Sequence, residues 1–203
     1  MLGAITWETM TNHKELGLKV GLEIHRQIES HKLFCRCPSE LRDRNPDFTV
    51  HRKLTAVVSE KGELDEVALF EKGRGKHAVY EGHADVVCLV ELDEEPVHLI
   101  NYDALKAVLQ VCKMLRMKLV DRVQIMRKQV LDYSNTSGFQ RTAFIGYDGV
   151  LETPQGKVGI QSVCIEEDAA RKMKTAEHAV TYRLDRLGIP LIEIATAPDM
   201  HDP

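Results

Sequence analysis

Polar and apolar residues alternate over residues 18–28, the first clear pattern in the chain. A period of two is typical of a strand with one apolar face. Successive side chains of a strand point to opposite faces, so Glu23 and His25 share the polar face. The pattern therefore predicts an early strand that presents an acid and an imidazole together.

The next segments predict a loop, a short helix, a strand and a longer helix. Residues 32–47 are rich in Cys, Pro, Arg and Asp and predict the loop. Residues 64–71 predict the short helix, and the strongly apolar residues 84–92 predict the strand. The longer helix begins at Asn101 or Asp103 as N-cap. Its apolar face comprises Leu105, Val108, Leu109, Cys112, Leu115 and Leu119.

The last third of the chain reads mainly as strands. Residues 132–141 predict a loop, residues 168–175 a helix or loop, and Asp148-Gly149 a hairpin turn. The predicted strands are residues 120–130, 158–167, 180–184 and 189–196. Strands outnumber helices without strict β-α-β alternation, which indicates an α+β fold with a mixed or antiparallel sheet.

Composition excludes several classes of protein. The chain has 203 residues, 43% hydrophobic and 29% charged, which fits a globular domain with its own core. Its longest apolar run, residues 86–90, falls far short of the roughly 20 residues of a membrane span. Residues 1–11 show no signal-peptide pattern, so we expect a cytoplasmic protein with no membrane partner. The chain stops just after a predicted strand, and we expect an N-terminal piece of a longer protein.

The net charge argues against a broad nucleic-acid-binding surface. The chain carries 27 Lys and Arg against 31 Asp and Glu, a formal net charge of −4. Phosphate backbones are bound mainly by basic surfaces. Any polyanion must therefore be bound by a local patch or by another domain.

Three predicted strands carry acids between apolar neighbours, at Glu23, at Glu166 to Asp168 and at Glu193. If one sheet contains these strands, the acids can converge on one cleft. Convergent carboxylates with a histidine suit Mg²⁺, which in turn holds phosphate oxygens. The alternative is that each acid lies on a solvated outer face.

Basic residues near these strands are candidate anion binders. They are Arg127, Lys128, Arg141, Arg183 and Arg186, because an arginine fork matches phosphate or carboxylate. The alternative is ordinary surface solubility. The loop at residues 134–138, which includes Ser137, has hydroxyls and a glycine that suit a phosphate. Residues 73–77 lack the spacing of a Walker loop, and no nucleophile elbow is present.

Five cysteines at uneven spacing do not form a disulfide framework. Cys35, Cys37 and Cys88 offer three thiolates, and Glu91 offers a fourth ligand. A tetrahedral zinc site usually shows a second Cys or His pair at short spacing. Zinc and buried free thiols are therefore both open interpretations of this group.

Several motifs in order resemble the GatB/GatE family of tRNA-dependent amidotransferases, and most closely its archaeal GatE branch. The resemblance covers nearly all of residues 17–203. Its motifs are GLEIH at 21–25, KLFCRC at 32–37, DEEP at 93–96, MRKQ at 126–129, SNTSGFQR at 134–141, LETPQG at 151–156, EEDAA at 166–170 and LDRLGIPLIEI at 184–194.

This resemblance implies a cradle-shaped α+β catalytic domain, distantly similar to glutamine synthetase, with residues 1–203 as its N-terminal part. It implies ATP- and Mg²⁺-dependent activation of the glutamyl side chain of Glu-tRNA(Gln), followed by amidation with ammonia to Gln-tRNA(Gln). A carboxylate becomes a good acyl donor only when activated, for example as an acyl phosphate. The implied partners are the tRNA and an asparaginase-like glutaminase of the D type, which supplies ammonia.

The resemblance also implies roles for individual residues. Metal ligands are expected at Glu23, His25, Glu167 and Glu193. Catalytic roles are expected for Glu166, Glu167 and Arg186, with Glu166 as a second-site or supporting acid. Cofactor-binding roles are expected for Arg127, Lys128, Ser137 and Arg141. Bacterial members often carry a second Cys-x-x-Cys pair as a zinc site, whereas this chain has Cys88 and Glu91, so zinc stays open.

Two other functions compete with this one. A non-catalytic module would dock the tRNA or the ammonia-producing partner without binding both Mg²⁺ and ATP. A free-standing ligase similar to glutamine synthetase would act on a small acid and turn over without tRNA.

Overall fold

The computed structural model describes residues 16–53, 62–63, 66–73 and 75–201. Residues 1–11 and the first two residues of the predicted short helix lie outside this part. Its elements are β1 Glu23–Gln27, β2 Phe48–Lys53, α1 Glu66–Gly73, β3 His77–Gly82, α2 Tyr102–Met114, β4 Lys118–Leu119, β5 Ile125–Gln129, β6 Phe139–Thr153, β7 Gly156–Glu167, β8 Arg171–Thr175, β9 Ala179–Arg183 and β10 Pro190–Thr196.

The described strands form two sheets. The first has the order β1-β10-β7-β6-β4, with β5 also pairing with β6, and all its pairs are antiparallel. The second has the order β2-β3-β9-β8, in which β3 and β9 are parallel and the other pairs antiparallel. The expected α+β class with mixed and antiparallel sheets is confirmed.

Helix α2 covers one face of the first sheet. Asn101 is its N-cap, because the side-chain oxygen accepts hydrogen bonds from the N–H groups of Asp103 at 2.9 Å and Ala104 at 3.1 Å. Ala104, Val108 and Cys112 are buried along the helix. They form a core with Ala143, Ile145, Ile160, Val163, Ile165 and Ile192 from the sheet and Leu33 and Phe34 from the preceding loop. The predicted helix and its cap are confirmed.

The prediction of a strand at residues 84–92 is wrong. This segment consists of turns, closed by hydrogen bonds from the N–H groups of Val86 to His83 and of Asp93 to Val90. Val86, Val87 and Val90 are nonetheless buried. The apolar run therefore reflects the packing of turns into a core rather than strand pairing.

The prediction of a hairpin turn at Asp148-Gly149 is also wrong. Strand β6 continues through both residues, and the turn into β7 lies at residues 153–156. Asp148 has a φ of 55°. A Cβ at position 149 would lie 2.4 Å from the Cγ of Met117 and 2.9 Å from the carbonyl oxygen of Leu115. Glycine is needed there because the segment after α2 crosses the strand closely.

Residues 168–175 contain a strand, not a helix. Strand β8 has the sequence RKMKT and pairs with β9 at the border of the second sheet. Charged side chains are frequent on such border strands, where they discourage pairing with other chains. None of the described helices has the length and apolar character needed to span a membrane.

A buried acid ties the second sheet to the loop after β1. Asp185 is fully buried and accepts hydrogen bonds from the Arg171 guanidinium, from the N–H of Arg42 at 2.8 Å and from that of Arg186 at 2.8 Å. Burial by itself raises the pKa of Asp185, but these donors outweigh it and lower the pKa below its ordinary value. The carboxylate is therefore ionised in the folded protein.

We predict that Asp185→Asn lowers the free energy of unfolding by about 3 kcal/mol, because it leaves the Arg171 charge without its buried partner. A lowered folded pKa contributes stability above the unfolded pKa, and this contribution is lost as the pH falls through the folded pKa. The stability difference between wild type and variant therefore shrinks below pH about 4. Urea unfolding at several pH values measures it.

Asp43→Asn is the matched control. Asp43 contacts the same arginine at 3.5 Å but is 95% exposed, so its loss costs less than about 1 kcal/mol. Equal costs for the two substitutions would contradict the role given to Asp185.

Candidate active site

The strands of the first sheet bring acids from distant parts of the chain to one face. His25 on β1 pairs in register with Glu193 on β10, and Glu193 pairs with Cys164 on β7. Glu166, two residues after Cys164, pairs with Thr142 on β6. Paired residues lie on the same face of a sheet, and so do residues two apart. These side chains therefore share the face opposite α2.

His25 lies at the centre of this acid cluster, which we define as Glu23, His25, Glu166 and Glu193. Its Nε2 lies 3.3 Å from Glu193 Oε2, 3.5 Å from Glu23 Oε1 and 3.7 Å from Glu166 Oε1. The side chain of Glu166 is 1% exposed, that of Glu193 15% and that of Glu23 63%. The exposure of the acids in the cluster thus increases from the buried Glu166 to the solvent-facing Glu23. The expected convergence of Glu23, His25 and Glu193 is present.

Lys128 on β5 supplies a positive charge to the two less exposed acids. Its Nζ donates to Glu166 Oε2 at 2.7 Å and lies 3.5 Å from Glu193 Oε2. Burial by itself lowers the pKa of Lys128, but the two carboxylates outweigh it and raise the pKa above the ordinary value. Thr142 Oγ1 also donates to Glu166 Oε2, at 3.0 Å. A buried carboxylate needs such partners to remain ionised.

Glu167 points to the other face of the sheet. It is buried, and Arg141 holds it through the guanidinium at 3.0 Å and through its backbone N–H at 3.1 Å. Burial raises the pKa of Glu167, and the contacts with Arg141 reduce this effect. Adjacent strand residues face opposite sides. Glu167 therefore does not join the three other expected metal ligands, and Glu166 lies in its place.

Three further expected site residues lie outside the acid cluster. Arg186 donates to the carbonyl oxygens of Ala169 at 2.7 Å and Ala170 at 3.1 Å. The guanidinium of Arg127 lies 5.0 Å from the ring centre of Phe139. Ser137 donates to the Phe139 carbonyl oxygen at 3.0 Å. Of the residues expected to bind a cofactor, Lys128 and Arg141 are both paired with acids of the sheet.

An open cleft of about 840 Å³ lies beside His25. Arg26, Gln27, Arg36 and Leu191 are among the residues that line it. Gln27 reaches Asp168 Oδ2 at 2.7 Å. A reactant can thus approach the acid cluster from the edge of the sheet formed by β1.

Sequence reasoning missed Thr142 and Cys164, which adjoin the acid cluster, and Gln27, which lines the cleft beside it. Burial, followed by the charges of Glu193 and Glu166, raises the pKa of Cys164 to about 11, so its thiol stays protonated under the acids. A period of two along residues 25–27 could have indicated Gln27. Thr142 and Cys164 depend on the register between strands, which no local pattern contains.

The cysteine group that the sequence left open, as a zinc site or as free thiols, forms a second cluster. Ligand atoms of Cys35, Cys37, Cys88 and Glu91 all lie within 4.8 Å of one another. Cys35 Sγ donates to Glu91 Oε1 at 2.8 Å, and the N–H of Cys88 donates to Glu91 Oε2 at 2.8 Å. Three sulfurs and one oxygen suit a tetrahedral zinc ion. The fully buried ammonium of Lys32 lies 3.8 Å from Glu91 and would compete with a cation there.

The three thiols of this group differ in acidity. A hydrogen bond between Cys35 and Cys37 raises the pKa of Cys35, and burial and Glu91 add to that increase. The same hydrogen bond lowers the pKa of Cys37 to about 7. Burial raises the pKa of Cys88 to about 11. Cys37 is therefore the thiolate of the group near neutral pH.

Known proteins resemble this chain over nearly its whole length. A family model described as GatB/GatE catalytic domain matches residues 18–203. A Methanocaldococcus jannaschii protein, named as the E-type chain of glutamyl-tRNA(Gln) amidotransferase, is 54% identical over 193 residues, which cover 95% of this chain and 31% of that relative. Proteins of the same name from Thermococcus sibiricus and Pyrococcus furiosus are 54% and 52% identical over 192 residues. Those residues cover 95% of this chain and 30% of each relative.

We predict that the neighbouring acids Glu166 and Glu167 differ in metal binding. Glu166→Gln lowers the affinity for Mn²⁺ by at least about tenfold, since it removes an anionic oxygen beside His25 and Glu193. Glu167→Gln, whose side chain faces Arg141, leaves the affinity within about twofold of wild type. Electron paramagnetic resonance of free Mn²⁺ measures both, with circular dichroism as the check on folding. A larger loss of Mn²⁺ affinity in Glu167→Gln than in Glu166→Gln would contradict the faces of the sheet assigned to the two acids.

We also predict that Cys37 reacts with iodoacetamide in its thiolate form with a midpoint near pH 7. An ordinary thiol reacts with a midpoint of about 8.5. Mass spectrometry of peptides sampled across pH 5 to about 10 gives the profile of each cysteine. Cys35→Ala is the informative variant, because it removes the hydrogen-bond donor and shifts the Cys37 midpoint upward. A wild-type midpoint near the ordinary value would contradict the hydrogen bond.

Proposed function

This chain belongs to the GatB/GatE catalytic domain family, and from that premise we propose that it carries out ATP- and Mg²⁺-dependent activation of the glutamyl side chain of Glu-tRNA(Gln) and its amidation by ammonia. The observation that supports the proposal is the convergence of His25, Glu166, Glu193 and Lys128 from four strands. Keeping an acid 1% exposed among other charges costs free energy. A module that only docks a partner gains nothing from that cost.

The donor set fits magnesium. Carboxylate oxygens are the protein ligands that Mg²⁺ prefers, and the acid cluster offers three carboxylates around His25. We propose Glu166, Glu193 and His25 as the residues that would hold it, with Glu23 toward the solvent. When bound, Mg²⁺ would neutralise phosphate charge during transfer to the glutamyl carboxylate.

The other charged groups of the site would orient the carboxylates. Lys128 orients the oxygens of Glu166 and Glu193 by charge and hydrogen bonding. A metal cation would share these carboxylates with the ammonium and would bind Glu166 through Oε1, which faces His25. Arg141 fixes Glu167 on the opposite face. The cleft beside His25 would receive the aminoacyl end of the tRNA. We further propose that ammonia attacks the activated carboxyl, an acyl phosphate, there, so that the amide C–N bond forms, the acyl C–O bond breaks and phosphate leaves.

Recognition of the tRNA would reside mostly outside this chain. Its net charge of −4 supplies no broad basic face. Lys128 and Arg141 are paired with acids, and Arg186 with carbonyl groups. We propose that an asparaginase-like glutaminase of the D type supplies the ammonia.

The chain spans about 30% of the length of the curated relatives it matches. We propose that it forms the N-terminal part of a cradle-type catalytic domain whose core is similar to that of glutamine synthetase. The mixed sheets support this assignment only at the level of fold class.

A chimera tests the proposed function. The 193 residues that are 54% identical to the Methanocaldococcus jannaschii relative replace the matching segment of that protein. Supplied with ATP, Mg²⁺, ammonium chloride and Glu-tRNA(Gln), the chimera is expected to form Gln-tRNA(Gln). Glu193→Gln in the chimera should reduce the rate at least about a hundredfold, since it removes charge from the reacting site.

Glu152→Gln is the control, because Glu152 forms exposed ion pairs with Arg116 and Lys157 away from the acid cluster. It should keep the wild-type rate. An active Glu193→Gln chimera would refute the assigned metal site. Turnover of free glutamate in place of the tRNA would favour a small-molecule ligase.

A further inference from the structure

Two clefts adjoin each other beside the acid cluster. The first is the cleft of about 840 Å³ next to His25, and the second, of about 630 Å³, lies at the start of α2. His31 and Arg36 line both clefts. The two clefts together, which we call the track, therefore lead from His25 to Leu99 and Tyr102.

The first cleft contains two arginines that have no partner. Within the described residues, the guanidinium groups of Arg26 and Arg36 form no hydrogen bond or ion pair. By contrast, Arg42 and Arg183 are paired with acids. An unpaired guanidinium on a concave surface is available to a phosphate, because its planar fork matches the phosphate oxygens. Arg36, which lies where the two clefts meet, can contact a phosphate in either of them.

The imidazole of His31 is held in one orientation. Its Nδ1 lies 2.8 Å from the carbonyl oxygen of Lys32 and 2.8 Å from that of Cys35. Since both partners are acceptors, Nδ1 carries the hydrogen, and Nε2 of the neutral ring is an acceptor. This Nε2 has no partner among the described residues. It can accept a hydrogen bond from a hydroxyl group of a ligand in the track.

The outer end of the track has an exposed aromatic ring. Tyr102 is 72% exposed and Leu99 is 85% exposed, although both line the second cleft. Exposed aromatic rings next to basic side chains are typical of surfaces that bind single-stranded nucleic acid, because the bases stack on the rings. A phosphate binder, a hydroxyl acceptor and a stacking ring thus line one track.

The acids on the walls restrict the kind of ligand. They are Glu29, Glu40 and Asp103. Arg42 pairs with Glu40 at 2.8 Å, and Asp103 lies in the first turn of α2, where the helix dipole offsets a negative charge. Glu29, in the first cleft, suits the α-ammonium group of an aminoacyl ester. A ligand that carries both phosphate and ammonium groups therefore fits the track better than a polyphosphate does.

We propose that the track binds the single-stranded 3′ end of the tRNA, with a phosphodiester on Arg36, a ribose hydroxyl on His31 Nε2 and a base stacked on Tyr102. The proposal rests on the proposed function for the identity of the RNA. It adds the residues that would distinguish a glutamyl group linked to tRNA from free glutamate. The contacts are to parts that all tRNAs share, so discrimination among tRNAs stays outside the track.

Fluorescence anisotropy of a labelled single-stranded RNA that ends in ACCA tests the proposal, with DNA of the same sequence for comparison. The buffer contains EDTA, so that no divalent cation joins the RNA to the acid cluster. It contains little salt, so that phosphate contacts are strong. Wild type is expected to bind the RNA at least about threefold more tightly than the DNA, since only RNA offers 2′-hydroxyls.

Three variants separate the contacts. Arg36→Met is expected to weaken binding of RNA and DNA alike by about three- to tenfold, because it removes a phosphate contact. His31→Asn keeps an N–H donor for the two carbonyl groups and removes Nε2, so it should lower the affinity for RNA to that for DNA and leave the affinity for DNA unchanged. Tyr102→Leu is expected to weaken both by about fivefold, since it removes the stacking ring. Arg122→Met is the matched control and should bind as wild type does, because Arg122 is exposed and lines neither cleft.

Several outcomes would overturn the proposal. They are no binding of RNA by wild type, equal affinity of wild type for RNA and DNA, and equal affinity of Arg36→Met and Arg122→Met for RNA. Displacement of the RNA by an equal concentration of ATP would assign the track to a free nucleotide and would also overturn it. If His31→Asn fails to fold, Arg36→Met against Arg122→Met decides alone. Glu193→Gln should bind the RNA at least as tightly as wild type, since it removes a negative charge, so a failed metal site and a failed RNA track give different results.

Discussion

The register of the first sheet is the constraint on which the acid cluster depends. His25 pairs with Glu193, Glu193 with Cys164, and Glu166 with Thr142, so side chains of four strands meet on one face, with the proposed metal ligands on three of them. A slip of one residue between two strands would turn the whole set of one strand to the opposite face. Ile165 and Ile192, which alternate with the acids, lie in the core under α2. Burial of that apolar face therefore fixes the register that brings the acids together.

The buried acids of the first sheet also require neighbouring positive charges. Glu166 and Glu167 are both buried, and each has its own cation, Lys128 on one face and Arg141 on the other. A buried carboxylate without such a partner would bind a proton instead. Two adjacent acids can thus lie in one strand, each paired with a cation on its own face of the sheet.

Local patterns predicted those features that depend on neighbouring residues. The N-cap at Asn101, the shared face of Glu23 and His25, and most strands of the last third required only the period of side chains along the backbone. The proximity of Cys35, Cys37 and Cys88 to Glu91 fits a shared site, one of the two interpretations that the sequence left open. Contacts between distant segments were not predictable in this way. Residues 84–92 are apolar because turns are buried, and Gly149 is required by the close approach of Met117.

The location of a bound cation is the most direct test of the acid cluster. A crystal of the chain soaked in MnCl₂ and measured at a wavelength where manganese scatters anomalously would show the ion as a peak. We expect that peak beside His25 Nε2 and the carboxylates of Glu166 and Glu193, within about 2.0 to 2.3 Å of its ligands. A peak on the Arg141 face beside Glu167, with none at His25, would contradict the site.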